Sequence, residues 1–330
     1  MTKIAINGFG RIGRSAFRKM LEKHSDLKVV AINDLTDNDT LAHLLKYDSV
    51  YGIYDKEIKS TDELLVVDGD EFKCLSEREP SNLPWKDLDV DIVLECTGCF
   101  ANLEGAQKHI QAGAKKVIIS APCNSGDVPH FVLGVNEEKY QGEEVVSMAS
   151  CTTNCLAPIA KILNDNFEIE FGLMTTIHSY TNDQRLLDAP HKDLRRARAA
   201  ALSMIPTTTG AAIAVTKTIP ELKGKIHGLA IRIPTPTVSL VDFVVNVKKE
   251  VDVDKVNNAF ESADLKGILT TEKEPLVSVD FKGNSNSAIV DLASTMVKGS
   301  LIKVLAWYDN ELGYACRLAE FASYIGKEIK

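Results

Sequence analysis

"KIAINGFGRIGR", residues 3–14, decides how the first half of this chain folds. A short apolar run ends at Asn7, Gly8-x-Gly10-x-x-Gly13 follows, and a helical stretch runs from about Ile12 to His24. Glycines at that spacing allow a tight turn and let backbone N–H groups approach a bound anion. The helix N-terminus behind them adds positive partial charge. This is a dinucleotide-binding fingerprint, weak when it stands alone. Asp34 strengthens it by closing the second apolar run, "KVVAIND" (28–34). A carboxylate there accepts hydrogen bonds from both hydroxyls of an adenosine ribose and repels a 2′-phosphate, which selects NAD over NADP.

Further apolar runs follow at "VDIVLECTG" (90–98) and "KKVIIS" (115–120), separated by a helical "NLEGAQKHIQAG" (102–113). Strands apolar on both sides and alternating with helices predict an α/β, Rossmann-type, doubly wound parallel sheet. After residue 150 the texture changes. In "LAIRIPTPTVSLVDFVVNVKKE" (229–250), Val241, Phe243, Val245 and Val247 alternate with Asp242, Asn246 and Lys248, the mark of an antiparallel strand with one packed and one wet face. At 330 residues two domains are expected: 1–150 for the dinucleotide and 151–312 for the substrate, with a final helix (about 313–330) packing back on the first.

Composition narrows the partners. Apolar residues make up 45% and charged residues 25%, a soluble globular balance, and 38 Lys and Arg against 46 Asp and Glu leave a net charge of −8. That excess of acid argues against a nucleic-acid partner. No stretch approaches the roughly twenty apolar residues that span a bilayer, and the opening residues carry no signal-peptide pattern, so the expected location is cytoplasmic. The seven cysteines form no disulfide framework. Cys96-x-x-Cys99 is a single pair at a strand end, and no metal site is expected there.

"SMASCTTNCLAP" (147–158) holds Cys151 and Cys155 one helical turn apart. Ser150, Thr152 and Thr153 are good capping and first-turn residues, and Leu156, Ile159, Ile162 and Leu163 continue at helical spacing, so Cys151 falls at a helix start. Unpaired amides and the helix dipole stabilise a thiolate there, whereas Cys155 reads as a packed side chain. Pro158 is expected to make the early turns irregular. A nucleophilic thiol beside a hydride acceptor fits aldehyde oxidation through a thiohemiacetal and a thioester, which requires a base. His178, at the end of the strand-like run 172–177, is the candidate, although a solitary histidine is as readily structural.

With "ASCTTNC" and "HSYTNDQ" in view, and "INGFGRIGR", "KYDSVYG", "HKDLRRARAAAL", "IPTTTGAA", "RIPTPTVSLVDF" and "AWYDNELGY" in the same order, the sequence resembles the phosphorylating glyceraldehyde-3-phosphate dehydrogenases over its whole length. The resemblance implies Cys151 as nucleophile and His178 as base. It implies Thr181 and Arg232 for the substrate phosphate, and Ser150, Thr152, Thr209 and Gly210, assisted by Arg196, for inorganic phosphate. On the cofactor side it implies Gly8, Phe9, Gly10, Arg11, Ile12, Asp34, Arg78, Thr97, Ser120 and Asn310. It further implies an α+β catalytic domain with a mostly antiparallel sheet, a homotetramer, glyceraldehyde 3-phosphate and inorganic phosphate as substrates, and a place in glycolysis or gluconeogenesis. Relatives that use NADP tend to lose the residues matching Asp34 or Pro190, and both are present. Leu312 stands where the family commonly has Trp or Thr, without touching a catalytic role. An erythrose-4-phosphate dehydrogenase is disfavoured by the retained "PTTTG", and a non-catalytic dinucleotide-binding or adhesive role by the presence of both thiol and imidazole.

Overall fold

The computed structural model of the chain describes residues 1–123 and 125–329 and divides into two units. The first comprises Met1–Phe131, Glu138–Ala149 and the chain from Ala315 onward; the second comprises Val132–Glu137 and Ser150–Tyr314. Val132–Glu137 thus leaves the expected 1–150 block, because Val132 and Val135 pack in the apolar cluster of the second unit with Leu156 and Phe243. The final helix ends at Gly326 rather than 330, and Lys330 lies outside the described residues.

In the first unit the apolar runs become strands β1 (Thr2–Asn7) and β2 (Leu27–Asn33), joined through helix α1 (Arg11–Lys23). Helix α2 (Asn38–Lys46) and a small hairpin, β3 (Tyr47–Asp48) and β4 (Gly52–Ile53), precede β5 (Ile58–Ser60), β6 (Leu64–Val67) and β7 (Asp70–Leu75). Then come β8 (Ile92–Glu95), α3 (Leu103–Gln111), β9 (Lys116–Ile119) and β10 (Val145–Ser147). The sheet order is β10-β9-β8-β1-β2-β7-β6-β5, parallel from β10 through β7 with an antiparallel edge. From β1 the order runs outward in both directions, so a crevice opens at the carboxyl ends of β1 and β8.

The second unit begins with α4 (Cys151–Phe167) and β11 (Ile169–Ser179), followed by β12 (Ile205–Thr208), α5 (Ala211–Thr218), β13 (Ile226–Ile233) and β14 (Ser239–Val247). It continues with α6 (Val253–Glu261), β15 (Leu269–Glu272), β16 (Ala288–Lys298) and β17 (Leu301–Tyr308), and α7 (Leu312–Gly326) starts at its end. The order β12-β13-β11-β14-β17-β16-β15 is antiparallel except for β11–β13 and β15–β16. Period-2 alternation governs it: Met174, Phe243 and Val304 meet in register and are buried, whereas Leu173, Val244 and Lys303 meet on the other face. Against the buried face pack Leu156, Ile159 and Leu163 of α4. Pro158 does not disturb this helix as expected. The helix is continuous from Cys151 to Phe167, and Pro158 is one of a nearly unbroken run of buried residues from Thr152 to Leu163. Packing on all sides offsets the one backbone hydrogen bond that its ring removes.

Candidate functional site

The first unit holds a cavity of about 450 Å³ lined by Asn7, Gly8, Gly10, Asn33, Asp34, Leu35, Glu77, Arg78, Cys96, Thr97, Cys99 and Phe100. It lies at the ends of β1, β2 and β8, in the crevice that the strand order creates. Each glycine has its own reason. Gly8 has φ 92°, and a Cβ there would sit 2.7 Å from the Thr97 nitrogen; one on Gly13 would sit 2.2 Å from the Gly8 oxygen. Gly10 has nothing within 4 Å of its missing Cβ, the open space a pyrophosphate needs to reach the amides at the start of α1. Asp34 Oδ2 accepts from the Phe9 N–H at 2.8 Å and Oδ1 from the Thr36 N–H at 3.0 Å, which fixes the carboxylate at the cavity wall. This donor and acceptor set fits a dinucleotide with a free ribose diol.

Of the expected cofactor residues, Gly8, Gly10, Asp34, Arg78 and Thr97 line that cavity. Phe9 is fully buried and contributes its backbone, Arg11 pairs with Asp48 at 3.1 Å, and Ile12 stands in the first turn of α1. Ser120 follows β9 with its N–H on the Glu95 carbonyl. Asn310 belongs to the second unit, where its Oδ1 accepts from Ser239 Oγ at 2.9 Å. Sequence reasoning missed Asn7 and Asn33. Both end an "AIN" run, at 5–7 and 31–33, and they face each other in register.

In the second unit Ser150 is the N-cap of α4, its Oγ accepting from the Thr153 N–H at 3.0 Å, so Cys151 is the first helical residue. The chain enters this helix through Ala149 at φ 52°, a left-handed conformation costly for a residue with a Cβ. The Cys151 Sγ lies 3.4 Å from His178 Nε2. Parity along β11 explains the meeting: Met174, Thr176 and His178 are the buried positions, on the face that α4 covers. Register explains the third member. Arg232 of β13 pairs directly with His178, and its Nη1 lies 2.8 Å from His178 Nδ1 and donates to the Ser179 carbonyl at 3.0 Å. His178 Nδ1 is 2.7 Å from the same carbonyl. Ser179 O accepts from Arg232, and Nε2 is the ring nitrogen that faces the thiol.

Burial governs the charges here. It pushes the Cys151 thiol up, against the downward pull of the Arg232 charge and the Thr152 hydroxyl and amide. The amides at the helix start pull the same way as Arg232, but the desolvation of a thiolate outweighs them. His178 is pushed down to about 3, first by burial and then by the Arg232 charge, so the resting imidazole is neutral. Thr152 Oγ1 and Thr176 Oγ1 both bond the Tyr308 hydroxyl, at 2.9 and 2.8 Å, and the Tyr308 ring stands edge-on to His178. The sequence alone assigns no role to Tyr308, whose place depends on pairing between distant strands.

The remaining expected residues lie around this group. Thr181 opens the segment after β11 with its N–H on Gln184 Oε1, and Arg196 is tied to Thr207 Oγ1 at 2.9 Å, the Thr208 carbonyl and Asp183. Thr209 Oγ1 accepts from the Ala211 N–H, and Gly210 caps α5. Arg232 Nε is buried without a hydrogen-bond partner, an arrangement that suits an anionic ligand. Cys155 is fully buried, and Cys96 and Cys99 both line the dinucleotide cavity.

A doubly wound dinucleotide unit and a unit presenting a thiol to a neutral imidazole define a nicotinamide-dependent dehydrogenase that works through a cysteine. Residues 2–103 match the family model described as the NAD binding domain of glyceraldehyde 3-phosphate dehydrogenase, and residues 150–310 match that of its C-terminal domain. The chain belongs to the glyceraldehyde-3-phosphate dehydrogenase family. It is 57% identical to "Glyceraldehyde-3-phosphate dehydrogenase" of Geobacillus stearothermophilus, over 99% of this chain and 98% of that one. It is 56% identical to "Glyceraldehyde-3-phosphate dehydrogenase 1" of Bacillus cereus over 98% of each, and 52% identical to the Streptomyces coelicolor enzyme over 99% of each.

Proposed function

We propose that this protein oxidises and phosphorylates glyceraldehyde 3-phosphate to 1,3-bisphosphoglycerate with reduction of NAD, in glycolysis or gluconeogenesis. The observation that carries the reading is the 3.4 Å approach of Cys151 Sγ to the Nε2 of His178, a buried and neutral imidazole. Cys151 adds to the aldehyde carbon as His178 takes the thiol proton and passes it to the carbonyl oxygen, giving a thiohemiacetal whose hydroxyl the imidazole, neutral again, then deprotonates. The chemistry NAD supplies when bound is hydride acceptance. Gly8, Phe9, Gly10, Arg11, Ile12, Asp34, Arg78, Thr97 and Ser120 would hold NAD, with Asn310 the residue for its amide group.

The acyl group then rests on Cys151 as a thioester, and inorganic phosphate attacks it, retaining the energy of oxidation as an acyl phosphate that hydrolysis would lose. Arg232, with its unpaired Nε, and Thr181 bind the phosphate of the substrate. Ser150, Thr152, Thr209 and Gly210 surround the attacking phosphate, with Arg196 close enough for its charge to bear on His178. The protein works in the cytoplasm as a homotetramer, with the segment between β11 and β12 at an interface; Leu186, Leu187 and Leu194 of that segment are exposed.

Incubation with NAD and glyceraldehyde 3-phosphate, with and without inorganic phosphate, tests the reading. NADH should form in quantity only when phosphate is present, and C151S should abolish turnover while NAD still binds. NADH formation indifferent to phosphate would reject the phosphorylating reaction.

A further inference from the structure

Behind the dinucleotide cavity lies a buried polar cluster that the reaction above does not use. Glu95, at the end of β8, is 2% exposed and His109 of α3 is 0% exposed. Four donors converge on the Glu95 carboxylate. Oε1 takes the Thr97 N–H at 2.8 Å and the Thr97 hydroxyl; Oε2 takes Asn7 Nδ2 at 2.6 Å and His109 Nε2 at 3.1 Å. The Trp85 indole donates to His109 Nδ1 at 2.9 Å, so the ring proton is on Nε2 and points at Glu95. Asn7 Nδ2 also lies 3.4 Å from His109 Nε2, two N–H groups side by side that only the shared oxygen reconciles.

The chain of bonds continues outward to the cavity. Asn7 Oδ1 accepts from Asn33 Nδ2 at 2.7 Å, and Asn33 holds the Glu77 backbone by both its amide atoms at 2.8 Å. Asn7, Asn33, Glu77 and Thr97 line the cavity, but Glu95, His109 and Trp85 do not. The Thr97 amide that Glu95 holds is also the atom against which Gly8 packs, at 2.7 Å from an added Cβ. One carboxylate thus ties the ends of β1, β2 and β8 and the segment after β7.

The strands themselves are already paired by their backbone ladders. A charge withdrawn from water is a costly way to add to that pairing, and a core of apolar side chains would serve stability as well or better. What the ladders leave free is the orientation of the side chains at the strand ends and of the groups just past them, and every outward bond from Glu95 goes to one of these.

We propose that Glu95, backed by His109 and Trp85, is a positioning residue that presets the glycine loop, Asn7, Asn33 and Thr97 for NAD. This rests on the reading of the cavity as the NAD site. The test is E95Q in the full chain, with NAD affinity by titration calorimetry, kcat and KM for both substrates, and the melting temperature without NAD. The amide that E95Q introduces can accept at only one atom, leaving donors facing its NH2 group.

We expect the Kd and KM for NAD to rise at least tenfold, with kcat at saturating NAD and the KM for glyceraldehyde 3-phosphate within twofold of wild type. The double variant N7D/E95Q exchanges acid and amide. The amide at position 95 then donates to a carboxylate at position 7, which also takes the Asn33 and His109 donors, and affinity should recover at least threefold. A folded E95Q with NAD affinity within twofold of wild type overturns the proposal, as does a loss of affinity that the double variant leaves unrelieved. Should E95Q not fold, H109Q decides, since it keeps the donor to Glu95 but loses Trp85: an NAD Kd raised threefold or more supports the proposal and an unchanged one overturns it. Wild type that failed to bind NAD would overturn the cofactor reading itself, whereas wild type and E95Q binding equally would overturn only the role of Glu95.

Discussion

Arg232 acts on both partners of the Cys151–His178 pair. Its charge pulls the thiol down against burial, and it pushes the imidazole down together with burial. Removing the charge in R232L should therefore lower the thiolate fraction. Alkylation of Cys151 by iodoacetamide at pH 7 should slow several-fold, and KM for the aldehyde should rise at least tenfold as the phosphate loses its partner. Equal alkylation rates in wild type and R232L would contradict the electrostatic role. His178 also ties stability to pH. Its folded-state value of about 3 lies below the ordinary 6.5, so between those limits the unfolded chain holds the extra proton and stability falls as pH falls. From pH 7 to pH 5 the loss from this one group is about 2 kcal/mol, since each unit is worth about 1.4 kcal/mol. Urea titrations of wild type and H178N at both pH values should show the variant losing less by about that amount, and parallel losses would contradict it. Cys151 was legible because capping chemistry is local: Ser150 and Thr152 announce a helix start within three residues. Arg232 was not, since its meeting with His178 depends on register between strands 54 residues apart, and only the family resemblance marked it.

The turn between β1 and α1 shows how far a local pattern can be trusted. Three glycines occupy the fingerprint, yet the backbone demands them for different reasons, and substitution should separate these. G13A places a methyl 2.2 Å from the Gly8 oxygen, an overlap with backbone that no rotamer relieves, so the first unit should lose most of its folded population or melt many degrees lower. G10A meets nothing within 4 Å, so it should fold with a melting temperature within about 2 °C of wild type while binding NAD at least tenfold more weakly. Circular dichroism melts together with NAD titrations distinguish the two, and a G10A protein that binds NAD normally would mean that no ligand backbone contact is made there. Helix α4 shows the opposite lesson, because Pro158 argued for irregular early turns and the helix runs unbroken within its packing. The alternation in β14 survived intact because one wet and one dry face impose period 2 whatever the neighbouring strands are.

The sheet of the second unit is dry on the side that α4 covers, and its other side carries apolar residues without cover in the protomer. Phe171 and Leu173 of β11, Leu229 of β13, Met296 of β16 and Leu301 of β17 are all exposed. Leu229 pairs with Thr175, one step along the same face from Leu173, so these residues adjoin rather than scatter. Soluble monomers rarely leave such a surface to water, and a closed symmetric oligomer is the ordinary way to cover it. Composition gave no hint of this, because an apolar residue at an alternate strand position reads the same whether it faces a core or a subunit. Charging both Leu173 and Leu229 to Glu should therefore split the assembly. Light scattering should find wild type at four protomers and L173E/L229E at two or one, with circular dichroism showing the fold retained. Burial of the two leucines against a partner is worth roughly 3–6 kcal/mol at the usual value per side chain, and two buried like charges add to the loss, enough to shift a micromolar assembly toward dissociation. A wild type that runs as a monomer, or a doubly charged variant that stays tetrameric, would mean that this face is not where the subunits meet.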